Sequence, residues 1–210
     1  MKKVVKIFII IAILVVISVI IIKRKNDDVI VCIDAGHGGT DAGAVLEERF
    51  EKDDTLKVAK LVKKYLDEQN IKVIMTRNND STVSLKERCK IANKAKADIF
   101  VSLHRNSAED GNGIEIWTNS QKRKQDTELA TTILNKLQDT EIQNDRGVKT
   151  GTSKGENTDY YVLKNTKMTS CLIELGFITD TKDNELFDKY IEDYAKAIAD
   201  GIIDKIKDND

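Results

Sequence analysis

The run Val29-Ile30-Val31-Cys32-Ile33 constrains this chain most. Five consecutive apolar residues, mostly β-branched, suit a strand covered on both faces, as in a parallel sheet between layers of helices. Asp34-Ala35-Gly36-His37-Gly38-Gly39-Thr40-Asp41 follows directly, and three glycines within four positions demand a sharp turn. His37 sits in that turn. Open α/β sheets bind ligands in the crevice beyond the carboxyl ends of their strands. The strand therefore delivers a histidine to where such folds do chemistry. The chain has only two histidines. The other, His104, follows Ile99-Phe100-Val101-Ser102-Leu103, a second core-strand pattern. Two imidazoles placed alike, each just past a core strand, point to a shared metal.

From Val29 onward strand and helix patterns alternate. A helix is expected over Glu51 to Gln69, with Leu56, Ala59, Val62 and Leu66 on one face. Ile71 to Met75 reads as a strand. Ser84 and Glu87 form a capping box that opens a helix to about Lys96. Strands follow at Ile99 to Leu103 and Ile114 to Thr118, then a helix from Asp126 to Leu137. Asp145 to Asp159 is polar and bears glycines, which suits a long surface loop. Tyr160 to Leu163 and Cys171 to Leu175 read as short strands, and Tyr190 to Lys207 as the closing helix. This order predicts an α/β fold: a single three-layer domain over 29–207 with a mostly parallel twisted sheet flanked by helices. Proline is absent, so turns rely on Gly, Asn and Asp.

The N-terminal stretch stands apart. Ile7 to Ile22 is interrupted only by Ser18, and it is bracketed by Lys2, Lys3 and Lys6 before and Lys23-Arg24-Lys25 after. Val4, Val5 and snorkelling lysines bring it close to the ~20 residues that a bilayer span needs. No small-residue cleavage site follows, so residues 1–25 read as an uncleaved signal anchor, a transmembrane helix. Positive charge flanks it on both sides and does not fix its orientation. The formal net charge is -1, and no basic patch is interleaved with aromatics. Nucleic acid is therefore excluded as a partner. Cys32, Cys89 and Cys171 are odd in number, widely spaced and free of any Cys-x-x-Cys pair. They suit buried small hydrophobes better than a disulfide framework or a catalytic thiol.

Two neutral imidazoles make half of a catalytic zinc site. Such sites commonly add one carboxylate and leave a fourth position for water. Glu47, Glu48 and Glu51 all lie close after the glycine turn, and residue chemistry alone does not choose among them. Glu174 ends the apolar run Cys171-Leu172-Ile173 and precedes Leu175-Gly176-Phe177. A carboxylate in such a setting needs a partner or has a function. Desolvation would raise its pKa and suit it to general acid–base work. The glycine turn lacks the third glycine of a dinucleotide fingerprint, and no Gly-Lys-Ser/Thr is present, so nucleotide binding is set aside.

Four separated motifs now carry a resemblance: Ile33 to Asp41, Glu51-Lys52-Asp53, Ser102-Leu103-His104-Arg105-Asn106 and Glu174-Leu175-Gly176-Phe177. Thr76-Arg77, Leu85-Lys86-Glu87-Arg88 and Arg146-Gly147-Val148 match as well. Over about Val29 to Lys207 the chain resembles the zinc-dependent N-acetylmuramoyl-L-alanine amidases of the amidase-3 family. The resemblance implies one Zn2+ per chain held by His37, Glu51 and His104, with Glu174 as the catalytic glutamate. It implies hydrolysis of the amide joining muramic acid to the stem peptides of peptidoglycan. Arg105 replaces the usual small residue, and with Asn106 it is expected to meet substrate. A single amidase domain behind an anchor, without wall-binding repeats, is similar to the germination-specific amidases of spore formers. That similarity implies cortex-type peptidoglycan as substrate, in the route to muramic-δ-lactam. It also implies membrane attachment with the catalytic domain outside the cytoplasm, between mother-cell and forespore membranes. An accessory protein on the outer side of the membrane fits the same picture. Two alternatives remain: a membrane-tethered, non-catalytic peptidoglycan-binding module, which has no need of a buried Glu174, and a zinc peptidase that cuts within peptides.

Overall fold

A computed structural model describes residues 11, 29–121, 123–155 and 157–208. Its centre is strand β1 (Ile30–Ala35), buried over nearly its whole length. Strands β4 (Lys72–Met75) and β5 (Ile99–Asn106) run parallel to it on either side. Strand β8 (Thr169–Phe177) continues the parallel order beside β5. Strand β6 (Ile114–Thr118) then runs antiparallel to β8, and β7 (Asp145–Thr150) runs parallel to β6 at the far edge. The six-stranded sheet has the order β4-β1-β5-β8-β6-β7. A small hairpin of β2 (Val45–Leu46) and β3 (Arg49–Phe50) follows the glycine turn.

Strand alternation sorts side chains onto two faces. Val31, Ile33, Val101, Leu103, Ile173 and Leu175 form one face. They pack under helices α1 (Glu51–Glu68), α3 (Lys124–Gln138) and α5 (Thr181–Asp208). Val58, Ala59, Val62 and Leu66 of α1 and Ile198 and Ile202 of α5 are buried in that core. Each large aliphatic side chain so enclosed contributes roughly 1.5–3 kcal/mol. The opposite face carries Cys32, Phe100, Leu172 and Trp117, covered by α2 (Leu85–Lys94) and α4 (Tyr161–Asn165). These two helices are short. Beyond the apolar row the same alternation turns polar, with Asp34, Ser102, His104, Glu174 and Glu115 on this second face. The crevice of the fold lies there.

Local signals explain several boundaries. Ser84 is the N-cap of α2 and accepts from the Glu87 amide at 3.2 Å. Glu51, Asp53 and Asp54 crowd the first turn of α1, where carboxylates complement the helix dipole. Three expectations are corrected. The surface loop expected over Asp145 to Asp159 begins as strand β7, because the exposed edge of β6 supplies a hydrogen-bonding partner. The strand expected over Tyr160 to Leu163 is the helix α4, whose Val162 and Leu163 pack inward. The last helix starts at Thr181 rather than Tyr190. Asp180 accepts from the Asp183 amide at 2.7 Å at its start, and Tyr190 marks a kink with φ -120 and ψ 20. The expected anchor, residues 1–25, lies outside the described residues apart from Ile11. Among the described residues no helix is long and apolar enough to cross a membrane.

Candidate metal and active site

His37 stands in the turn after β1 with φ 59, an unusual backbone for a residue with a side chain. Buried arginines hold that turn. Arg88 donates to the carbonyls of Ala35 at 2.6 Å and His37 at 2.5 Å, and Arg77 donates to those of Ala35 and Gly36, each at 2.9 Å. Asp34 anchors Arg88 at 2.7 Å and takes hydrogen bonds from Thr76 at 2.6 Å and Ser102 at 2.7 Å. Burial works against the charge on Asp34, but the Arg88 guanidinium and these donors prevail and lower its pKa. His104 comes from β5 and Glu51 from the first turn of α1. Glu51 lies between the imidazoles, its Oε2 3.2 Å from His37 Nε2 and its Oε1 2.9 Å from His104 Nδ1. One ligand atom from each of these residues lies within 4.8 Å of the others, an arrangement able to hold a metal ion.

The surroundings aim these groups. Asp41 Oδ1 lies 2.9 Å from His37 Nδ1 and so turns Nε2 toward Glu51. The backbone amides of Ala44 and Arg105 donate to Glu51 at 2.8 and 3.0 Å. Two glycines make room. A Cβ on Gly36 would strike the His104 ring, and one on Gly43 would lie 2.6 Å from Glu51 Oε2 and 2.7 Å from His37 Cδ2. Burial opposes an ionised Glu51, yet the two imidazoles hold its pKa far below the usual carboxylate range. Burial likewise opposes a charged His104, and the adjoining Glu51 outweighs it, lifting the pKa to about 9. Both shifts have one cause: the Glu51 carboxylate lies against imidazoles that can carry a positive charge.

Glu174 occupies the register position beside His104 on β8, and Glu115 of β6 faces it from the other side. The Glu174 side chain is buried, and its Oε2 has no hydrogen-bond partner. Burial raises its pKa to about 7, partly offset by His104 and reinforced by Glu51 and Glu115. Such a carboxyl exchanges protons near neutral pH.

The other expected residues divide. Glu47 and Glu48 are exposed at the tip of the β2–β3 hairpin, and of the three glutamates only Glu51 joins the histidines in a group able to hold a metal. Arg105 does not meet the crevice. Its alternation on β5 is opposite to that of His104, and it is 2% exposed. Its Nη1 donates to Asp54 at 2.7 Å and its Nη2 to Asn184 at 2.7 Å, with the guanidinium 4.3 Å from the centroid of the Phe187 ring. The substrate contact expected of Arg105 is therefore corrected to a role under the sheet. Asn106 does line a groove next to the site, and its Nδ2 donates to Glu115 at 2.8 Å. Residue reasoning missed Glu115. An alternating carboxylate in Ile114-Glu115-Ile116 was the signal that could have found it.

The profile of Amidase_3, described as N-acetylmuramoyl-L-alanine amidase, matches residues 31–204. The chain belongs to this family. Its enzyme class is that of an N-acetylmuramoyl-L-alanine amidase, a cell-wall hydrolase. The germination-specific N-acetylmuramoyl-L-alanine amidase of Bacillus subtilis is 30% identical over 196 residues, covering 83% of this chain and 78% of that protein. The amidase LytC of the same organism is 35% identical over 178 residues; the match covers 82% of this chain but only 34% of that longer protein. A solved structure of the CwlD amidase from Clostridioides difficile, in complex with the GerS lipoprotein, superposes with a TM-score of 0.78 at 29% identity, covering 86% of this chain and 99% of that one.

Proposed function

We propose that this amidase hydrolyses the amide between N-acetylmuramic acid and L-alanine with one Zn2+ held by His37, Glu51 and His104, and with Glu174 moving the protons. The observation that carries this reading is Glu174: a buried carboxyl with an unpartnered oxygen, placed in register beside His104. Two imidazoles and one carboxylate match the donor set of catalytic zinc, and the Gly36 and Gly43 cradle leaves these side chains their places. When bound, zinc supplies Lewis acidity toward the amide carbonyl and lowers the pKa of water. Glu174 accepts the proton of the attacking water and hands it to the amine nitrogen of L-alanine as the C–N bond breaks. Asp41 and the amides of Ala44 and Arg105 keep the donor atoms aimed. A non-catalytic binding module leaves the buried Glu174 unexplained.

The cortex assignment rests on the likeness to a germination-specific amidase and to CwlD. The substrate is then cortex-type glycan with its stem peptides, and the product feeds muramic-δ-lactam formation. The catalytic domain works outside the cytoplasm, tethered by residues 1–25, in the space between mother-cell and forespore membranes. The CwlD structure holds a lipoprotein, and an accessory protein on the outer side of the membrane is proposed here by analogy. The test is digestion of purified cortex peptidoglycan with zinc-loaded protein, followed by mass analysis. Release of intact stem peptides beginning with L-alanine is expected. Cleavage within peptides, or none by protein that retains zinc, would overturn the reading.

A further inference from the structure

A groove of about 930 Å³ lies over the β6–β7 side of the site, lined among others by Asn106, Glu115, Trp117, Arg146, Lys149 and Phe177. At its base Glu115 is 3% exposed and holds four donors. Arg146 Nε and Lys149 Nζ reach its Oε2 at 2.7 and 2.6 Å, while Asn106 Nδ2 and Trp117 Nε1 reach its Oε1 at 2.8 and 2.9 Å. Two cations facing one carboxylate leave a surplus of one positive charge in the groove. The rest of the wall is uncharged: Ser107, Thr127, Thr150, Thr152 and Ser153. The cations are also aimed. The Arg146 guanidinium lies 4.9 Å from the Phe177 ring centroid, and Lys149 Nζ lies 5.3 Å from that of Trp117. Glu115 thus acts as a positioning residue that holds both cations at the wall while neutralising only one of them.

We propose that this groove is the stem-peptide side of the substrate cleft, and that Arg146 and Lys149 recognise a peptide carboxylate. The inference rests on the amidase reading given above. Across the sheet the order is β1, β5, β8, β6, β7, so His37, His104, Glu174, Glu115 and the two cations follow one another in a line. The surplus positive charge on the β6–β7 side favours the carboxylate-bearing peptide end of a scissile amide beside Glu174, so the leaving amine is placed toward that side. The peptide extends from that amine, and its free carboxylates are its main anionic groups. Guanidinium and ammonium donors in a partly enclosed groove give charge-assisted hydrogen bonds to them. The cation that the sequence offered for this contact, Arg105, is enclosed on the opposite face; Arg146 and Lys149 take that place.

Trp117 is the only tryptophan of the chain and lines the groove, so its emission reports occupancy there. The experiment titrates the full chain with L-alanyl-D-glutamate, which carries two free carboxylates, and with its carboxamide counterpart, following heat and Trp117 emission. The free acid should bind with a change in emission and the carboxamide roughly tenfold more weakly, about the value of one lost charge-assisted hydrogen bond. Lys149→Met should weaken the free acid by a similar factor and leave the carboxamide unchanged. Glu115→Gln frees the second cation and should tighten the free acid, a change of opposite sign that mere structural damage does not give. Equal binding of the two peptides, or an unchanged preference in Lys149→Met, overturns the proposal. Binding reads the groove without turnover. Carboxylate-dependent binding by a chain that releases no stem peptide would keep the carboxylate contact but sink the amidase reading and the cleft assignment built on it, while release without carboxylate preference would sink only this inference.

Discussion

His104 and Arg105 are neighbours on β5, and Glu51 and Asp54 are one turn apart on α1, yet the two pairs do opposite work. His104 and Glu51 meet at the crevice with His37 3.2 Å from the same carboxylate. That cluster holds one carboxylate against two titrating rings, with an unpartnered carboxyl oxygen of Glu174 on the neighbouring strand. Arg105 and Asp54 meet under the sheet, where Arg49 also binds Asp54 at 2.8 Å and continues to Asp188 at 2.9 Å. That cluster alternates fixed cations and carboxylates and needs no further ion. Strand pleat turns His104 and Arg105 to opposite faces, and one helical turn separates Glu51 from Asp54. The lesson is that a polar cluster open to a ligand is marked by missing positive charge rather than by an unpartnered atom, since Arg105 Nε also lacks a hydrogen-bond partner.

Four changes break or sharpen this contrast. The largest effect is expected from Glu174→Gln, on the crevice side. Turnover should fall roughly 10²–10⁴-fold, with metal content and melting temperature kept. Loss of metal in step with activity would show a ligand or structural role instead, and full activity would remove Glu174 from the chemistry.

Arg105→Met probes the other side. Breaking a buried ion pair should cost about 3 kcal/mol, the low end of the usual range, because Arg49 still holds Asp54. Urea unfolding measures it. The folded fraction should keep its zinc and its product pattern; unchanged stability with altered products would return Arg105 to the substrate.

Gly43→Ala tests the cradle. Gly43 has φ +69, and a Cβ there crowds both His37 and Glu51. Zinc affinity should drop roughly 10–100-fold, as for loss of groups that orient metal ligands, as read by competition with a chromophoric chelator. Undiminished affinity would mean the ligands have room that the structure does not show.

The smallest effect is a pH dependence at Asp34, which supports the turn that carries His37. Its folded pKa lies below its unfolded value of about 3.9. Its contribution is therefore complete above about pH 4 and fades as pH falls through the folded value. Asp34→Asn should be less stable than the parent at pH 7, with the difference narrowing toward pH 3. A constant difference across that range would assign the loss to packing rather than charge.

Much of this was readable from residue order. The five-residue apolar run announced β1, and the heptad-like spacing of Ala59, Val62 and Leu66 announced α1. The histidines following two core strands placed themselves in one crevice, because strand ends of a parallel sheet converge there. Glu174 betrayed itself by standing in an apolar strand. Strand β7 was not readable: Asp145-Arg146-Gly147-Val148-Lys149-Thr150 is polar and becomes a strand only because β6 offers an edge. Tyr160 to Leu163 carries β-favouring side chains, yet tertiary packing of Val162 and Leu163 settles it as helix.

By itself the amino-acid order determined the α/β alternation, the core strands and the presence of a glycine-rich turn bearing His37, since these follow from local periodicity and backbone preference. Tertiary structure alone decided that Glu51 rather than Glu47 or Glu48 stands between the imidazoles, that Arg105 lies beneath the sheet, and that Arg146 and Lys149 converge on Glu115. Those outcomes depend on which face a strand turns inward and which elements become neighbours. Contacts between residues 14 to 79 positions apart carry that information, and no local pattern contains it.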